Sequence, residues 1–116
     1  MTPDAFRELA LELPEAVESS HMGHADFRVG GKIFATLGPE GEREPWGMVK
    51  LKPEQQAPLL ASEPDVFGSA SGAWGRGGAT LVRLKKARVA TIRRALALAW
   101  RNTAPKKLVR RFDGET

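Results

Sequence analysis

His24-Ala25-Asp26-Phe27-Arg28-Val29-Gly30-Gly31-Lys32-Ile33-Phe34-Ala35-Thr36-Leu37 is the stretch whose reading decides the fold. Two short runs of β-branched and aromatic residues flank a glycine pair that can adopt the positive φ of a two-residue turn, so the segment reads as a β-hairpin. On its second strand Ile33, Ala35 and Leu37 alternate with Lys32, Phe34 and Thr36, which predicts one buried and one open face. Around the hairpin, residues 16–52 read as an antiparallel meander that ends on the strand Trp46 to Lys52. Gly38 to Pro45 carries three Glu, two Gly and two Pro and reads as a mobile acidic loop. Upstream, Thr2-Pro3-Asp4 supplies a hydroxyl N-cap, a first-turn proline and an acid at the positive end of a helix dipole. That helix carries an apolar face of Phe6, Leu9, Ala10 and Leu13 and is expected to close at Pro14. Downstream, a second helix runs from Pro53 to about Ala61, bent at Pro58. Phe67 to Gly78 places five glycines around Trp74 and reads as a loop. A short strand, Ala79 to Leu84, leads to the longest helix, Ala87 to about Asn102, with the apolar stripe Val89, Ile92, Leu96, Ala99 and Trp100. Pro105 ends it, and Lys106 to Phe112 is basic at both ends with an apolar centre suited to docking. The order α, β-meander, α, β, α predicts an α+β domain with helices packed on one face of an antiparallel sheet.

Composition bounds the function. With 116 residues, one domain is expected over 1–112, with 113–116 a short tail. Apolar residues at 41% and charged residues at 28% fit a soluble globular chain. The longest apolar run, Ala95 to Trp100, is far shorter than the ~20 residues of a membrane span. The acidic N-terminus has no apolar core of a secretory leader, so a cytoplasmic, membrane-free protein is expected. The absence of cysteine excludes disulfides, a thiolate nucleophile and Cys-ligated metal.

Charge is divided unevenly. Met1 to Gly75 holds 6 basic and 12 acidic residues, whereas Arg76 to Phe112 holds 12 basic residues and no carboxylate. Such a segment cannot neutralise its field locally, which points to an anionic partner: nucleic acid first, an acidic protein surface second, anionic lipid third. The competing expectation is that the acidic half folds back and masks it.

The hairpin segment, preceded by Leu13-Pro14 and Glu18-Ser19, resembles the pattern of MmcQ/YjbR-like proteins. Val49-Lys50-Leu51, Gly72-Ala73-Trp74-Gly75 and Ala99-Trp100 through Ala104-Pro105-Lys106-Lys107-Leu108 extend the resemblance from about residue 3 to 112. It implies a frataxin-like (CyaY-like) α+β fold and the "double-wing" arrangement for which that family is labelled DNA-binding. It implies no catalytic residue and no cofactor.

The predicted DNA contacts are Arg76, Arg83, Lys85, Lys86, Arg88, Arg94, Arg101, Lys106, Lys107, Arg110 and Arg111, acting on phosphates without base readout. Arg94 and Arg101 lie two turns apart on one helix face. Lys85, Lys86 and Arg88 crowd a helix N-terminus where cations are unfavourable, a conflict that a bound phosphate would relieve. Arg93 is set aside because its helical angle lies near the apolar stripe. Trp74 reads as a lid packed on the core, with a stacking platform for an unstacked base as the alternative. The glycines beside it suit close approach of a sugar–phosphate backbone. His21 and His24 near Asp26 lack a third ligand, so no metal is assigned. Glu8, Glu12, Glu15 and Glu18 read as a solvated face, which leaves frataxin-like metal handling as a third reading. Ser19 and Ser20 lack a nucleophile motif, so no catalysis is expected. The expected protein is a monomer or weak dimer that binds DNA. The alternative is a protein-interaction or small-ligand module.

Overall fold

Gly30 and Gly31, at φ of 60° and 80°, turn β2 (His24–Val29) back on β3 (Lys32–Leu37) in the computed structural model, which describes residues 1–114. Before this hairpin come α1 (Pro3–Leu11) and β1 (Val17–His21). After it come β4 (Trp46–Lys50), α2 (Pro53–Ser62), β5 (Phe67–Ser69), α3 (Gly72–Arg76), β6 (Ala79–Arg83), α4 (Val89–Thr103) and α5 (Lys106–Phe112). The strands form one six-stranded sheet in the order β1-β2-β3-β4-β6-β5, with every neighbouring pair antiparallel. The predicted α+β architecture and the meander are therefore present.

α4 crosses β3 and β4, and α1 packs beside it on the same sheet face. Ile92, Leu96, Ala99 and Trp100 are buried there with Phe6, Leu9, Phe27, Phe34, Val49 and Val82. Trp100 has no exposed surface, and its Nε1–H donates to the Pro14 carbonyl at 3.0 Å. That bond pins the half-buried linker between α1 and β1 to α4. Thr2 caps α1 by accepting the Ala5 N–H at 3.1 Å. On the opposite face Met48 and Leu81 pair across β4 and β6 and pack with Ala70, Ala79 and Trp46 in a second, smaller cluster.

Several local expectations change. β3 does not alternate strictly: a register shift in the β2–β3 pairing leaves Phe34 unpaired, and both Phe34 and Ala35 enter the core while Ile33 stays half-buried. The segment Phe67 to Gly78 is not one loop. It holds the edge strand β5 and the single-turn helix α3, both too short to leave a periodic signal. α1 ends at Leu11 rather than at Pro14, and Val89, at the first turn of α4, is exposed instead of lying in the stripe. The basic tail is a helix, docked through Leu108 and through Phe112, whose ring stands edge-on 4.8 Å from Trp100. Among the described residues no helix is long and apolar enough to cross a membrane.

Gly75 and Gly78 hold the α3 segment in place. A Cβ at Gly75 would lie 1.7 Å from the Ala70 carbonyl oxygen, and one at Gly78, where φ is +109°, would lie 2.1 Å from that of Leu51. The chain's own backbone therefore fills the space that these glycines open. Gly78→Ala is expected to destabilise the fold by about 2–4 kcal/mol through overpacking and backbone strain. Gly68→Ala, which meets nothing within 4 Å, should stay within about 0.5 kcal/mol. Urea unfolding of the two variants checks this, and equal effects would contradict it.

Candidate nucleic-acid interface

Burial of one stripe of α4 decides where the basic residues go. The helix has 15 residues and is about 22 Å long at 1.5 Å per residue, so residues before and after it emerge at opposite ends of the sheet. Arg83, Lys85, Lys86 and Arg88 lie at its N-terminal end. Asn102, Lys106 and Lys107 lie at its C-terminal end. The single basic face expected from the sequence is thus two clusters, with Arg94 exposed on the helix between them.

Within the N-terminal cluster, one residue meets acid. Lys85 Nζ lies 3.7 Å from Glu44 of the 38–45 loop, and Arg83 donates to the Pro64 carbonyl at 3.1 Å. Nearby, a cleft of about 690 Å³ between the start of α1, the β1–β2 turn and that loop is lined by Asp4, Glu18, Glu40 and Glu42. Its arginine, Arg7, is held between Asp4 and Glu18, with its Nε 3.0 Å from Glu18. Arg88 occupies the N-cap of α4 without a side-chain cap bond.

Masking continues along the α1 side. Arg93, set aside as part of the stripe, is exposed and reaches Glu12 at 3.3 Å, because the stripe turns on Ile92 and Leu96 and leaves its neighbours outside. Arg111 faces Glu15 at 3.7 Å. Arg101 is clamped by Asp113 through both carboxylate oxygens, which holds the Asp113 carboxyl below the usual carboxylate range. Of the four glutamates grouped for metal handling, Glu12, Glu15 and Glu18 each serve an arginine. The acidic half therefore pairs with Lys85, Arg93 and Arg111, whereas the partner of Arg101 comes from the tail.

The other end differs. Pro105 sits against the β2–β3 turn, where a Cβ at Gly30 would come within 3.0 Å of its ring. This brings the hairpin turn, the end of β4 and the start of α2 to the C-terminal end of α4. They contribute Lys32, Lys50 and Lys52, which line one groove of about 450 Å³ with Trp74, Asn102 and Thr103. No acidic side chain lines it. Among the described residues none of Lys32, Lys50, Lys52, Lys106, Lys107, Arg110, Arg76 or Arg94 has a carboxylate within ion-pair distance. Trp74 is not a lid on the core: 57% of it is exposed, carried outward by α3. Three of these lysines escaped the sequence reading because they lie in the acidic half, and only the sheet topology joins them to α4. The groove is held open by amide contacts: Gln55 Oε1 accepts the Lys52 backbone N–H at 2.9 Å and the Asn102 Nδ2–H at 2.8 Å, while Asn102 also donates to the Lys50 carbonyl at 3.1 Å.

The YjbR family model matches residues 11–102, most of the chain. The chain belongs to the YjbR family. The YjbR fold is also seen in the crystal structure of Deinococcus radiodurans protein DR2400, described as a DUF419 domain. The two superpose with a TM-score of 0.78 at 18% identity, covering 99% of this chain and 89% of that one. No curated protein matches.

On the sheet face of this YjbR chain away from α4, Asp26 is buried between two partners. Arg28 Nε–H donates to Oδ1 at 2.8 Å and Nη2–H to Oδ2 at 3.0 Å, while His21 Nδ1 lies 2.7 Å from Oδ2. His21 and His24, paired in the sequence as candidate ligands, stack with ring centres 6.1 Å apart, and His24 Nδ1 lies 3.2 Å from the Leu37 carbonyl. Hydrogen bonding from Arg28, aided by His21, outweighs burial and holds the Asp26 carboxyl below its ordinary value. A depressed folded-state pKa contributes stability above the unfolded pKa, and that contribution disappears as pH falls through the folded value. Asp26→Asn should therefore be less stable than the parent at neutral pH, with the gap narrowing as pH drops below about 4. Urea unfolding across that range measures it; a gap independent of pH would contradict the assignment.

Proposed function

We propose that this YjbR-family chain is a non-catalytic nucleic-acid-binding protein that acts mainly on the phosphate backbone, and on DNA first. One observation carries the reading: the groove of Lys32, Lys50 and Lys52 beside the α4 C-terminal end has no acidic lining, and among the described residues Lys106, Lys107 and Arg110 there also lack a carboxylate within ion-pair distance, whereas Lys85, Arg93 and Arg111 are paired with glutamates. Unpaired cations on a preorganised surface release condensed counterions when they meet a polyanion, and this supplies affinity without base readout. The polarity also orients the complex, because the cleft of Asp4, Glu18, Glu40 and Glu42 repels phosphate from the opposite end. Lys106, Lys107, Arg110, Arg94 and Arg76 keep the role expected of them. Lys32, Lys50 and Lys52 join them. Arg101, Arg111 and Lys85 contribute less, since binding through them first costs an ion pair. Arg83, Lys86 and Arg88 lie beyond the main footprint. The protein works without metal or cofactor in this reading.

Anisotropy of a labelled duplex titrated at several salt concentrations tests it. If ~5 phosphates are neutralised, log affinity should fall against log salt with a slope near −4 to −5. The double variant Lys50→Glu/Lys106→Glu should weaken binding at every salt concentration and flatten the slope by about 2. Lys85→Glu should change it little. No binding at about 50 mM salt and tens of micromolar protein would overturn the reading, since backbone contacts are strongest at low salt.

A further inference from the structure

Trp74 stands mostly in solvent, on a segment whose backbone is closely packed. Gly75 and Gly78 let the backbone of α3 and the turn after it pack against Ala70 and Leu51 with no room for a Cβ, which positions the helix that carries the indole. Trp74 lines the groove of about 450 Å³ together with Lys32, Lys50 and Lys52. The Asn102 and Gln55 amides fix the strand and helix ends that carry two of those lysines. An exposed large aromatic costs solubility and here adds nothing to the core, whose own tryptophan, Trp100, is fully enclosed.

A flat π surface beside three cations with no ion-pair partner among the described residues, and no acid in the lining, fits one kind of occupant: a planar base attached to phosphates. A paired base in a duplex hides its faces inside the stack and cannot offer them to an indole. An unstacked base can, and its flanking phosphates then fall to the lysines. We propose that this groove is a single-strand site, in which one base of a single-stranded nucleic acid stacks on Trp74 while Lys32, Lys50 and Lys52 hold the adjoining phosphates. This rests on the nucleic-acid reading above and adds strandedness to it. Stacking on an indole tolerates any base, so the site selects strand form over sequence.

The test compares a labelled oligothymidylate of about twelve nucleotides, within the site sizes of single-strand binders, with a labelled duplex, on the full chain. Three proteins are used: the parent, Trp74→Ala and Trp74→Phe. The oligothymidylate should quench tryptophan emission in the parent. Trp74→Ala should weaken its binding about 10- to 100-fold, and Trp74→Phe should restore most of the loss, since an aromatic face remains. Duplex binding by Trp74→Ala should stay within about twofold of the parent, because backbone contacts do not use the ring. An exposed side chain leaves the thermal midpoint unchanged, which separates loss of stacking from loss of fold. If Trp74→Ala binds the oligothymidylate as the parent does while the duplex is still bound, the single-strand site is wrong and the backbone reading stands. If thymidine monophosphate quenches Trp74 as effectively per mole as the oligomer, the occupant is a free nucleotide and the single-strand site is again overturned. If neither strand form binds, both readings fall together.

Discussion

α4 can bury only one stripe, and the rest of the molecule is arranged around that constraint. Ile92, Leu96, Ala99 and Trp100 enter the core against β3 and β4, and every charged side chain of the helix is then forced outward or to its ends. Trp100 carries the greatest weight in this packing. Its indole N–H closes on the Pro14 carbonyl, so α1 and its glutamates are drawn to the flank of α4, while the edge of Phe112 holds α5 against the same tryptophan. From these contacts follow the ion pairs Arg93–Glu12 and Arg111–Glu15. The same packing exposes the lysines and Trp74 at the far end, which no acid among the described residues reaches.

Electrostatic polarity therefore comes from packing more than from composition. A chain with a net charge of +4 could be uniformly and weakly basic. Instead the 38–45 loop and α1 concentrate carboxylates on one side, and the hairpin turn, β4 and α2 lend three lysines to the other. A field of this form steers a polyanion to one end and orients it there, which matters more for encounter than the net charge does.

Much of the fold was legible in residues, and the exceptions have physical causes. Gly30-Gly31 announced its hairpin because only glycine takes two successive positive φ values without cost. α4 was legible from its 3.6-residue stripe. β5 and α3 were not, since three and five residues are too few to show a period, and their glycines, which read as looseness, serve tight contact. The burial of Phe34 beside Ala35 could not be read from alternation, because a β-bulge adds a residue that no alternation rule anticipates. For the candidate interface, Lys106, Lys107, Arg94 and Arg76 could be read from the carboxylate-free run. Lys32, Lys50 and Lys52 could not, because the fold brings them there from a segment whose own charge is negative. Arg101 looked available until its partner, Asp113, was found just beyond the run.

Amide-shift mapping by NMR with an unlabelled oligonucleotide tests the central polarity most directly. Shifts concentrated at Lys32, Lys50 to Lys52, Ala73 to Gly77 and Asn102 to Lys107, and fading as salt rises, are the predicted result. Shifts centred on the acidic 38–45 loop and the start of α1, or no shifts at low salt, would contradict it.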